Sequence, residues 1–481
     1  MSNWSSKETK SQFQYIRLAD TLEKRILKGE YKIGEKLPSL RKLHNQLGLS
    51  KTTIFYTYIE LEKRGLVESR PRSGYFVKAL ISPRFSRLSS AGNALAPQKS
   101  ANLNLSNSIV DALSNPELLH FGGITISPTL LPLNAFSRSL KSISSNHIDH
   151  IISTPGKPEG NLELRQQIAK RILEDDRIEA DDIIITNRCM EALNLCLRAV
   201  AKRGDTIAVE SPVFFESLSL IENLGMQALE IPTHPQTGID LDNLEAVLSQ
   251  RAVQACMVIP NFQNPLGALM PVSNKKRLVE MLGERRIPII ENDISGDLYF
   301  GETRPPTLKS FDTKGLVLYC SSFSKTLAPG LRGGWTVPGK FRESIIELKV
   351  NLSFYPSNLD QMLIAEFLES GSYDRHLKRL RNALKQQMEN LNSAVVRHFP
   401  RETKINRPQG GMVLWIELKP TIDGLEIYQA ALREKISIIP GCVFSHSQKF
   451  QNFIRLNYGD PWTEKLEQGI STLGTILAQF T

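Results

Sequence analysis

The segment Ser321-Ser322-Phe323-Ser324-Lys325-Thr326-Leu327-Ala328-Pro329-Gly330-Leu331-Arg332 carries the most evident chemistry in the chain. Lys325 follows the apolar run Leu316-Val317-Leu318-Tyr319-Cys320, stands among hydroxyls and has an arginine seven residues on. An amine at the end of a buried strand is partly desolvated, which lowers its pKa and makes it a nucleophile toward an aldehyde. Ser322, Ser324 and Arg332 add neutral donors and a two-pronged cation, a set that holds phosphate. The pattern suits an aldehyde cofactor that carries a phosphate and joins Lys325 as a Schiff base. A lysine behind serines is by itself only a solvated lysine; the arginine at this spacing favours the cofactor.

A second group lies near the N-terminus. Lys51, Thr52 and Thr53 open a candidate helix that Ser50 can cap, with Tyr56 one turn later. Short polar side chains and a cation at a helix start meet base edges and phosphates together. Arg41, at the start of the preceding helix, suits a backbone phosphate. Arg70 and Arg72, beside Gly74, suit a wing that contacts phosphate or the minor groove. Residues 1–100 carry 11 Lys and 8 Arg against 8 acids, a net of +11, whereas the whole chain is +9. The other 381 residues therefore sum to −2, and the basic excess belongs to this end alone. A solvated surface would carry the same charge, so the ordered set of residues, not the charge, points to double-stranded DNA.

Elements must position both groups. Ile16, Ala19, Leu22, Ile26 and Leu27 predict a helix over 14–29. Pro38 suits the first turn of a second helix bearing Leu40, Leu43 and Leu47, which Gly48 ends. A third runs from about Thr52 to Arg64 with Ile54, Tyr58 and Leu61 inward. Leu66-Val67-Glu68 and Tyr75-Phe76-Val77 follow as two short strands, giving a winged-helix order over 11–79. Residues 80–115, rich in Ser, Ala, Asn and Pro, read as a linker. From 116 to 481 apolar strands alternate with helices, which predicts an α/β domain with a mainly parallel sheet. The chain is thus multidomain. No apolar run reaches membrane-spanning length, and the first residues form no secretory signal. The five cysteines are scattered, odd in number and form no CxxC pair, so neither a disulfide frame nor a metal site is predicted. A cytoplasmic location is expected.

The N-terminal pattern resembles the GntR-type winged helix, through Gly34, Leu37-Pro38-Ser39-Leu40-Arg41-Lys42-Leu43, Ser50-Lys51-Thr52-Thr53 and Arg70 to Val77. The Lys325 segment resembles that of fold-type I aminotransferases, above all the MocR-type regulators, which join the two. That resemblance implies pyridoxal 5′-phosphate on Lys325. It also implies that Asn264, in Asn264-Pro265-Leu266-Gly267, bonds the cofactor's phenolic oxygen, that Phe214 stacks on its ring, and that Arg455 in Phe453-Ile454-Arg455-Leu456-Asn457 grips a substrate carboxylate. Arg188, Cys189 and Met190 open the helix whose amides would cradle the phosphate. Four positions depart from the pattern. Asn292 or Asp293 stands where an aspartate usually holds the pyridine nitrogen protonated, and spacing leaves both open. Ser295 replaces a tyrosine, Arg188 a glycine, and Pro155 the tyrosine offered to a partner subunit's phosphate.

The expected function is a transcription regulator, a homodimer on a two-part operator, whose large domain binds the cofactor and senses it or an amino-acid-like effector. A working aminotransferase with a DNA-binding appendage, and a regulator whose large domain is a cofactor-free scaffold, are the competing readings.

Overall fold

The computed structural model describes residues 5–27, 30–31, 34–64, 66–70, 73–78, 88, 103–172, 178–447 and 449–480. Contacts divide the chain into two compact units, one of residues 1–86 with 386–402 and 462–480, the other of 87–385 with 403–461.

In the first unit the helices Ser5–Leu27, Leu40–Leu47 and Lys51–Lys63 precede an antiparallel hairpin of Val67–Arg70 and Gly74–Val77. Ala19, Leu22 and Ile26 are buried against Leu43, Ile54, Tyr58 and Leu61. Burying each of the larger of these side chains contributes about 2 kcal/mol. Ser39 caps the second helix by accepting from the Lys42 amide at 3.2 Å, and Gly48 ends it at φ +65°. Pro38 thus precedes the cap rather than lying in the first turn. Its carbonyl instead accepts from the Tyr58 hydroxyl at 2.6 Å, tying the loop to the third helix. At the far end of the chain, Glu467 of helix Glu464–Gln479 accepts from Arg397 at 2.7 Å.

The second unit is built on an eight-stranded sheet. Its order is Ile184–Thr186, Gly334–Val337, Val317–Ser322, Ile289–Asn292, Ala255–Val258, Thr206–Ser211, Gln227–His234 and Gly238–Ile239. The five strands from Val317–Ser322 to Gln227–His234 are mutually parallel. Their apolar runs are buried on both faces, as a sheet covered on both sides requires. In such a sheet ligands sit beyond the carboxyl ends of the strands. Here Phe214, Asn264, Asn292 and Lys325 each stand at or just beyond one of those ends. A smaller antiparallel sheet, Lys404–Ile405, Val413–Glu417, Phe453–Asn457 and Ile439–Pro440, carries Arg455.

The expected linker needs correction. Residues Leu103–Ser114 form a helix with Ile109 and Ala112 buried, and the Tyr428 hydroxyl donates to the Ser108 carbonyl at 3.4 Å. Its Ser and Asn content masks an apolar stripe at 105, 109 and 112. Residues 80–87 and 89–102 lie outside the described residues. Among the described residues no helix is long and apolar enough to cross a membrane.

Candidate functional site

A cavity of about 470 Å³ opens at the carboxyl ends of the parallel strands. Lys325 closes the short 3-10 turn Phe323–Lys325, which the Ser322 hydroxyl caps. The next residue is clamped: Tyr373 donates to the Thr326 hydroxyl and His376 to the Thr326 carbonyl, both at 2.8 Å. The amine therefore leaves a fixed stem. Its Nζ donates to the Ile124 carbonyl at 2.5 Å. Only part of the lysine is exposed, through the cavity, and burial lowers its ammonium to about 8.

Around Lys325 the lining includes Ser322, Ser324, Arg332, Arg188, Cys189 and Met190. The hydroxyls of Ser322 and Ser324 are 2.7 Å apart. Helix Cys189–Val200 starts at the cavity, so its first amides face it, as an anion cradle requires. Arg188 precedes the helix, is exposed and lines the cavity beside those amides. A Cβ at Gly334 would come within 2.5 Å of the Arg188 backbone, so the helix start lies directly against strand Gly334–Val337. The Arg332 guanidinium has no ion-pair partner among the described residues, and the Arg332 amide donates to Asp360 at 3.3 Å.

Phe214, Asn264, Asn292, Ser295 and Arg455 line the other walls. Arg455 is 1% exposed. Its Nη1 donates to Asn264 Oδ1 at 3.0 Å, its Nη2 to the Gly122 carbonyl, and its Nε has no partner. No carboxylate pairs with it among the described residues. Burial lowers this guanidinium to about 9. A buried cation without a counter-charge costs several kcal/mol, and an anionic ligand would supply what it lacks.

The pair left open by the sequence separates. Asn292 lines the cavity at the end of its strand; Asp293 does not, and the expectation that it touches a cofactor is corrected. The Asp293 carboxylate accepts from Arg304 at 2.6 Å, from Tyr319 at 3.1 Å and from Asn261 at 2.9 Å. Neighbouring residues at a strand end point to opposite sides, and this ion pair holds Asp293 on the far one. Asn292 Oδ1 accepts from the Ile294 amide at 3.3 Å and from Cys189 Sγ at 3.5 Å. Its oxygen is thus engaged from within the protein, and the end left open is the Nδ2 donor. Pro155 is exposed and does not line the cavity.

Three contributors were not foreseen. The stretch Gly123-Ile124-Thr125, with His120, forms one wall, and Glu216 brings a carboxylate into a cavity that Arg188, Lys325, Arg332 and Arg455 line as cations. Glu216 lies two residues beyond Phe214, which is the signal that would have found it.

In the winged helix, Lys51, Thr52 and Tyr56 are exposed on helix Lys51–Lys63, as is Arg41 on the helix before. Thr53 is not available. It is 5% exposed, its amide donates to the Ser50 hydroxyl at 3.0 Å, and the two hydroxyls are 2.8 Å apart. Its expected base contact is corrected to a part in the helix cap. Arg70 lies over Phe76 at 4.3 Å and pairs with Glu68 at 2.8 Å. Arg72 lies outside the described residues.

Residues 14–77 match the gntR family of bacterial regulatory proteins, and residues 134–473 match aminotransferase class I and II. The chain is 36% identical to the uncharacterized HTH-type transcriptional regulator YdcR of Escherichia coli, over 97% of this chain and 99% of that one. The chain is a GntR-family regulator of the MocR type. It is also 34% identical to the uncharacterized regulator YjiR of the same organism, over 96% of this chain and 98% of the relative. Among solved structures, alpha-aminoadipate aminotransferase LysN of Thermus thermophilus, complexed with N-(5′-phosphopyridoxyl)-L-leucine, covers 78% of the regulator and 95% of its own chain at 29% identity and a TM-score of 0.73. The regulator thus joins a winged helix to an aminotransferase fold with a mainly parallel sheet.

Proposed function

We propose that this regulator holds pyridoxal 5′-phosphate on Lys325 and responds to an amino compound that reaches the same cavity. The observation that carries the reading is a lysine with a lowered pKa sharing one cavity with an open helix start and a buried arginine that lacks an anion. The residues fit the group. Ser322, Ser324, Arg332 and the amides of Cys189 and Met190 would hold its phosphate, Phe214 would cover its ring and Asn264 would meet its phenolic oxygen. When bound, pyridoxal phosphate supplies an aldehyde carbon that condenses reversibly with primary amines. Lys325, whose ammonium is lowered to about 8, is poised to release and retake a proton at Nζ, while Arg455 orients a carboxylate.

Asn292 favours sensing over turnover. Its open end is a neutral donor, which suits an unprotonated ring nitrogen and leaves the ring a weak electron sink. We further propose a homodimer. Leu133, Ile152, Leu162, Leu352 and Phe354 are exposed apolar side chains of the second unit, with Ile152 at 78% exposure. Asn358 donates to the Thr154 carbonyl at 2.8 Å, which brings the 152 and 354 segments together. A patch of this kind suits burial by a second copy. Two winged helices on one dimer would read a two-part DNA operator, contacted by Arg41, Lys51, Thr52 and Tyr56.

The test is absorption. Full-length protein given pyridoxal phosphate should develop a visible band that Lys325→Ala abolishes. A protein that stays colourless would support the cofactor-free scaffold, and steady transamination of common amino acids would support the enzyme.

A further inference from the structure

Glu216 is the acidic side chain lining the cavity among the described residues; Arg188, Lys325, Arg332 and Arg455 line it as cations. It stands in the first turn of helix Phe215–Asn223, half-buried, with no hydrogen bond or ion pair to any described residue. Burial weakens the charge of both Lys325 and Arg455, and Glu216 is the leading charge that opposes this in each case. Its field therefore reaches both the amine and the carboxylate grip.

On the proposed reading the cations are accounted for. Arg188 and Arg332 face a phosphate with close to two negative charges, and Arg455 faces a ligand carboxylate. Lys325 is consumed in holding the cofactor. Glu216 is then a half-buried carboxylate without a counter-charge, which a cationic ligand group would supply.

We propose that Glu216 selects the effector, which is an amino acid with a cationic side chain: its α-amine meets the cofactor, its carboxylate meets Arg455, and its distal ammonium meets Glu216. This assignment rests on the cavity being the effector site, and its charge pairing separates a basic amino acid from a neutral one of the same shape.

Calorimetric titration of the full-length protein with L-2,4-diaminobutyrate, L-ornithine, L-lysine and L-norleucine tests it. At least one diamino acid should bind about tenfold or more tighter than L-norleucine, which matches L-ornithine in shape without its charge. Glu216→Gln should bring that ratio to about one, and Glu216→Asp should keep part of it. A ratio near one in the unaltered protein, or a preference that survives Glu216→Gln, overturns the proposal. If Glu216 serves only the helix dipole or tempers Arg455, Glu216→Gln changes stability or carboxylate affinity but leaves the ratio unchanged, which also overturns it. The absorption band is read in parallel. Loss of the band strikes the cofactor assignment, whereas loss of the ratio with the band present strikes Glu216. Without a band, the same ratio is still measured on the cofactor-free cavity and decides the proposal.

Discussion

Asn292 and Asp293 are consecutive, yet the first turns its amide to the cavity while the carboxylate of the second bonds Arg304 at 2.6 Å on the far side. The cavity side of this strand end thus carries an amide, and the adjacent carboxylate is held behind the wall. Two opposite mutations follow. Asn292→Asp should shift the absorption maximum of the loaded protein and raise its single-turnover amine transfer by about tenfold or more, because the ring nitrogen would then hold its proton. Unchanged spectra and rates would show that residue 292 does not govern the ring.

Asp293→Asn should behave differently. It removes one of the two carboxylates that pair with Arg304, leaving Asp297 at 2.7 Å, and takes the charged acceptor from Tyr319, so it should destabilise the fold by about 2 kcal/mol. A lowered urea midpoint with the cofactor band retained is the expected result.

The depressed ammonium of Lys325 sets a pH profile. Below about 8 the lysine is mostly protonated and cannot attack an aldehyde; above it the amine form dominates. The rate of band formation on adding cofactor should therefore rise with pH, reach half its maximum near 8 and level off about one unit above. A lysine at its ordinary value would still be gaining rate two units higher, and stopped-flow absorption separates the two.

Much of this was legible from local pattern. Lys325 and Arg455 sit in strand-linked motifs whose spacing survives without any structure, and the winged-helix core followed from apolar residues at helical intervals. What stayed hidden needed three dimensions. Side-chain parity at a strand end cannot be read where the strand's last residue is unknown, so 292 and 293 stayed equivalent. Thr53 has the composition of a base-reading residue, and only its bond to Ser50 reveals a cap. Glu216 lies beside a motif rather than in it. The helix Leu103–Ser114 is coded in a composition typical of loops, and its stripe gains meaning only from what it packs against.

For the DNA-facing surface, Arg41→Ala with Lys51→Ala should weaken operator binding severalfold and flatten its salt dependence without altering the absorption band. Ser50→Ala should instead cost about 1 kcal/mol of winged-helix stability, since the Thr53 amide loses its cap. Mobility-shift titrations and thermal melts of the same proteins distinguish contact from scaffold.

Arg455 should be the most selective residue for ligand. Arg455→Gln is expected to lower affinity for carboxylate-bearing amines by about thirtyfold or more while simple amines bind as before. Equal losses for both classes would remove it from the carboxylate role.

The guanidinium of Arg455 also has a mechanical side. It projects from the small antiparallel sheet, and its two bonds run to Gly122 and to Asn264, segments distant from it in sequence and attached to different parts of the unit. It is a three-way rivet. An anion gripped there would bear on all three segments that the guanidinium joins.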